Sequence, residues 1–150
     1  MSIEGQKFRY PGGEAAPEEL LALADEFKRI AEIARGAGRK GQPLSRAPYR
    51  LLAIHAVELY LNAFLISVGE PHDQVRGLQH NFAKRLDFVR SHRLILTKKT
   101  QRHLELLTNT REYLASRYDP RASAVSHLNR LEATVDEVAE KVRKIITLRV

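Results

Sequence analysis

Residues Arg50 to Val68 read RLLAIHAVELYLNAFLISV, and this stretch decides the fold. Leu51, Leu52, Ile54, Val57, Leu59, Leu61, Phe64, Leu65 and Ile66 place apolar side chains around nearly the whole circumference of a helix. A helix apolar on most sides belongs at the centre of a domain. His55, Glu58 and Asn62 interrupt it at i, i+3 and i+7, so they share one stripe. That stripe is either the helix's one wet edge or a buried polar site.

Outward from this helix the chain reads as further helices. Pro17, followed by Glu18 and Glu19, suits a helix start. Leu20, Leu23, Phe27, Ile30 and Ala34 then recur at helical spacing. The Gly-rich stretch GAGRKGQP (36–43) closes that helix; it matches neither phosphate-loop pattern. Ser45 is the expected N-cap of the central helix, and Gly69 with Pro71 its end. A third, irregular segment runs from about Asp73 to His92, with Leu78, Phe82, Leu86 and Val89 on its apolar face.

A fourth helix is expected from about Thr97 to Arg117, with Leu104, Leu107, Leu114 and Tyr118 as its stripe and Arg111 interrupting it. The last helix, about Ser123 to Leu148, has the cleanest seam: Ala124, Leu128, Leu131, Val135, Val138, Val142 and Ile145. The expected fold is an all-α, up-and-down bundle of about five helices. Residues 1–16 read as a flexible N-terminal arm, with Phe8 and Tyr10 free to tuck against the body, and 17–150 as one helical-bundle domain.

The absence of cysteine excludes disulfides and thiolate chemistry. No apolar run is read as approaching the roughly 20 residues of a membrane span, and the start MSIEGQKFRYPGG lacks a signal-type apolar core. A cytoplasmic protein with no membrane partner is therefore expected. The formal charge is +7, and it is unevenly placed. Lys84, Arg85, Arg90, Arg93, Lys98, Lys99 and Arg102 stand within twenty residues against Asp87 alone. This electrostatic patch can attract phosphate, or simply be a solvated helix edge.

Catalytic patterns are sparse. His55 and Glu58 are one turn apart, but the His-Glu-x-x-His metal motif is absent, and no metal or cofactor is expected. Serine-nucleophile motifs are absent too. What remains is Glu58 on one long apolar helix and Arg111 and Arg117 on another. Facing helices can join them as a bidentate ion pair, either fixing helix register or flooring an anion pocket.

These residues form a known pattern. Ala53-x-x-Ala56-x-Glu58-x-x-Leu61-x-Ala63-Phe64-Leu65 runs to Gly69, followed by His80-Asn81-Phe82 with Leu86, and by Leu107-x-x-x-Arg111 with Arg117-Tyr118. Over about residues 48–147 the chain is similar to the HEPN (higher eukaryotes and prokaryotes nucleotide-binding) superfamily. The resemblance implies a helical bundle that forms a homodimer and works with a nucleotidyltransferase or toxin–antitoxin partner. Many members are metal-independent RNA endonucleases with an Arg followed four to six residues later by His. Arg111 matches the Arg, but Ser116, Arg117 and Tyr118 occupy the histidine positions.

Arginine stays charged and cannot shuttle protons as histidine does. The expectation is thus a non-catalytic domain that binds a nucleotide, RNA or a phosphate-bearing partner. Arg111 and Arg117 would contact phosphate, Glu58 would orient one of them, and Tyr118 would stack on a base. Two alternatives stand beside it. One is a ribonuclease with a displaced general base, His103 or His127. The other is a protein-interaction module using the last helix's seam and the arm.

Overall fold

Seven α-helices and no strand make up the described residues, 10–148, of the computed structural model. They are α1 (Pro17–Ala37), α2 (Ala47–Ser67), α3 (His72–Gly77), α4 (Phe82–Ser91), α5 (Lys98–Thr110), α6 (Glu112–Tyr118) and α7 (Leu128–Leu148); a 3-10 turn, Pro43–Arg46, leads into α2. The chain is an all-α bundle. Seven helices replace the expected five because two of the expected ones are broken.

Pro17 opens α1, and the Glu19 carboxylate reaches back 2.9 Å to the Ala16 amide. Ser45 does not cap α2. Its hydroxyl accepts from the Arg39 amide (2.8 Å) and donates to the Gln42 carbonyl (2.7 Å), holding the α1–α2 connection instead. At the other end of α2, Gly69 takes φ +97°. There its amide bonds the Ile66 carbonyl and the Glu70 amide bonds the Leu65 carbonyl, a Schellman stop that favours glycine.

Twelve residues of α2 are buried, Glu58 among them, with α1, α4, α6 and α7 packed around it. Pro43–Ser67 is long and apolar enough by composition to cross a membrane, contrary to the reading of the sequence alone; in this fold it contains the core helix. The α1 stripe is turned by about one residue from expectation. Leu21, Ala24 and Ala31 are buried, Leu20, Phe27 and Ala34 are half-buried, and Leu23 and Ile30 are exposed. α1 carries two adjacent apolar stripes, and the one with the small alanines lies against the bundle, where helix axes can approach closely.

The α3–α4 break centres on Gln79, at φ +49°, after which Asn81 caps α4 by accepting from the Lys84 amide at 2.9 Å. The second break is Arg111, at φ +52° between α5 and α6. An unbroken helix would carry Arg111 on along the stripe of Leu104 and Leu107. Breaking there puts Arg111 in solvent and turns Glu112 and Tyr113 into the core, leaving Leu114 and Tyr118 exposed. A left-handed non-glycine residue costs on the order of 1–3 kcal/mol, less than an unpaired buried guanidinium.

The α7 seam is buried within the chain at Leu131, Val135, Val138 and Val142, with Leu128 and Ile145 half-buried; Ala124 precedes the helix. An interaction module built on that seam loses its surface, because the seam already belongs to the core. Of the arm, Phe8 lies outside the described residues. Tyr10 stacks beside Arg76, 4.5 Å from guanidinium to ring, and the Ala15 carbonyl bonds His72 Nε2 at 2.8 Å.

Candidate functional site

Glu58 is buried, only 6% exposed, at the middle of α2. Its partner is neither Arg111 nor Arg117 but Arg85 of α4, whose Nη2 stands 3.4 Å from Oε1. Arg85 is therefore not part of the surface patch. It is 2% exposed, and its Nε donates to Asn62 Oδ1 at 2.8 Å. An amphipathic reading counts every arginine as solvated, whereas α4 turns this one inward to meet the polar stripe of α2.

Two histidines complete the cluster. His80, in the α3–α4 connection, approaches Glu58 Oε1 through Nδ1 at 2.9 Å, and His55 Nδ1 lies 3.4 Å from Oε2. Burial alone would raise the Glu58 carboxyl, but the adjacent His55 imidazole and the nearby Arg85 and His80 outweigh it and hold the group below its usual value. Burial lowers Arg85 and the Glu58 charge opposes it. A carboxylate only accepts, so His80 donates from Nδ1, on a ring that is 47% exposed.

A ladder of flat groups stands on His80. The Tyr113 ring of α6 stacks on the imidazole, centroids 3.7 Å apart and 21° from parallel. The Arg117 guanidinium lies over Tyr113 at 4.6 Å and 6.0 Å from the ring of Tyr118, which is 72% exposed. Arg117 and Tyr118 thus join Glu58 indirectly, through Tyr113 and His80. Arg111 is on the exposed break and belongs to neither group. Lys84, Arg90, Arg93, Lys98, Lys99 and Arg102 are exposed, and Arg90 is tethered by Gln101 (3.1 Å), Asp87 (3.5 Å) and Glu105 (3.9 Å).

A second buried network occupies the other side of α6. Glu112 accepts from the Ser126 amide and, at 2.7 Å, from its hydroxyl. Ser126 Oγ lies 2.7 Å from His103 Nε2, and Thr134 Oγ1 lies 2.6 Å from His103 Nδ1. One set of donors satisfies all three contacts: Thr134 donates to Nδ1, Nε2–H donates to Ser126, and Ser126 donates to the carboxylate. Burial, with the Arg130 charge adding to it, pulls His103 down to about 4. A neutral imidazole 3% exposed and held at both nitrogens cannot reach a substrate, so His103 is not a displaced general base. His127 is exposed.

Three groups that sequence reasoning missed now carry the site: Arg85 as the Glu58 partner, His80 as its outward extension, and Tyr113 as the step between His80 and Arg117. The available signal was the i, i+4 pair Glu58 and Asn62, two acceptors on one face that call for a donor such as guanidinium. Among the described residues no group of three or more His, Asp or Glu side chains is placed to hold a metal. Compared with protein families, curated proteins and solved structures, the chain matches none of them.

Proposed function

We propose that this chain is a HEPN-like, non-catalytic helical domain that binds the phosphate and base of a nucleotide or RNA on the Arg117–Tyr113–His80 ladder. The carrying observation is an exposed guanidinium seated on one tyrosine beside another, with an imidazole beneath it held by a buried carboxylate. Such a face offers a charge for phosphate and rings for a base. Lys98, Lys99 and Arg102 stand in the first turns of α5, where they add to the positive helix end, and supply the electrostatic approach. The resemblance that motivates this reading also implies a homodimer and a nucleotidyltransferase-type partner, and the composition adds the proposal of a cytoplasmic location. Single-stranded RNA should bind at low salt and weaken steeply as salt rises, with Arg117→Ala reducing the salt slope by about one phosphate contact. No binding of RNA or nucleotide at low salt would overturn the reading.

One observation favours ribonuclease activity as a second reading. His80 has the buried Glu58 carboxylate at one nitrogen and a half-exposed ring, the arrangement of an oriented general base. It takes that role in place of the buried His103, with the exposed His127 as the competing candidate. RNA cleavage in chelator that is lost in His80→Ala and kept in His127→Ala would establish it; intact RNA after prolonged incubation would remove it.

A further inference from the structure

A cleft of about 440 Å³ opens between α1, α2 and α3, with Glu58 and His80 in its lining. Leu23, Leu59, Ile66 and Val75 give it apolar walls, and Tyr10 to Gly13 form part of its rim. Its volume lies in the range of small-molecule pockets. Two cations line it. Arg85 is matched by Glu58, but Arg76 stands on the Tyr10 ring and has no carboxylate partner among the described residues. The one formal charge of the lining left unmatched is therefore positive, and it stands beside a largely apolar wall.

We infer that this cleft binds a medium-chain carboxylic acid, its chain along Leu23, Leu59, Ile66 and Val75 and its carboxylate at Arg76. The chain removes apolar wall from water, while the head stays hydrated at the exposed guanidinium and loses little solvation. A cationic head on the same chain meets Arg76 as a like charge and is rejected. The cleft shares Glu58 and His80 with the ladder but not Tyr113, Arg117 or Tyr118, and the inference does not rest on nucleotide binding there.

Isotope-labelled full-length protein titrated with octanoate, octylamine and acetate, read by amide chemical shifts, tests the inference. Octanoate should give saturable shifts at Gly12, Leu23 and Val75, while octylamine should bind about tenfold more weakly and acetate scarcely at all. Leu23 and Arg76 are exposed, so Leu23→Asp and Arg76→Ala should fold normally and weaken octanoate about tenfold. Arg117→Ala should leave octanoate binding unchanged. Shifts that fail to saturate by about 10 mM, equal binding of octylamine, or indifference to Leu23→Asp would overturn the inference.

Discussion

The His80 imidazole lies face to face with the Tyr113 ring, 3.7 Å between centroids. Through this one stack a charged group on α6, Arg117, is coupled to a buried carboxylate on α2, Glu58, without touching it. Tyr113→Phe keeps the ring and should leave stability within about 1 kcal/mol, whereas Tyr113→Ala should cost roughly 3 kcal/mol and loosen both His80 and Arg117. Chemical denaturation measures the first effect, and histidine ring shifts of His80 measure the second.

Glu58 and Arg85 form a buried pair in which each compensates the other. Glu58→Gln should destabilise by about 3–5 kcal/mol, because the Arg85 charge loses its acceptor. The double change Glu58→Gln with Arg85→Met should cost less than the sum of the two single changes. A double-mutant cycle by urea unfolding reads that coupling.

His103 should make the protein acid-sensitive before its carboxylates do. In the unfolded chain it binds a proton as pH falls through 6.5; in the fold it resists until about 4. The unfolded state thus holds more protons in that window, and stability falls by about 2 kcal/mol from pH 7 to pH 5 and by about 3 kcal/mol by pH 4. Glu58, with its carboxyl held below 4.5, acts in the same direction only at lower pH. Unfolding free energies at pH 7 and pH 5 check this, and His103→Gln should flatten the change between them.

Arg93 occupies the left-handed position after α4, at φ +65°, where the Leu94 amide bonds the Val89 carbonyl. This is the glycine position of a Schellman stop. Arg93→Gly should therefore raise stability, by up to about 1 kcal/mol, and the melting temperature with it.

Glu137 joins α7 to the start of α5, accepting from Thr97 and Thr100 and pairing with Lys141 at 2.7 Å. Burial opposes ionisation, but the bonds from Lys141, Thr100 and Thr97 prevail and bring the carboxyl to about 2. Glu137→Ala should cost about 2–3 kcal/mol and raise hydrogen exchange in the first turn of α5.

Features set by periodicity were legible in the sequence. The central position of α2, the start of α1 at Pro17 and the α7 seam all follow from apolar spacing and helix-end chemistry. Features set by contacts distant in the chain were not. Arg85 looks solvated until α4 is laid on Asn62 and Glu58, more than twenty residues earlier. The Arg111 break depends on Glu112 finding Ser126. Tyr113 lies off the expected stripe, so nothing local announces its ring as the support of Arg117. The Glu58 stripe was visible, while the residues that give it chemistry were supplied by other helices.

The apolar circumference of α2 also has a consequence during synthesis. α7, which covers part of that surface, is completed some eighty residues after α2 ends. At ordinary elongation rates the interval is roughly 4 to 16 s. Throughout it, a segment with the length and composition of a membrane span is only partly sheltered by the helices already made. The nascent chain must therefore be shielded from lipid and from its neighbours on the polysome until its last helix emerges.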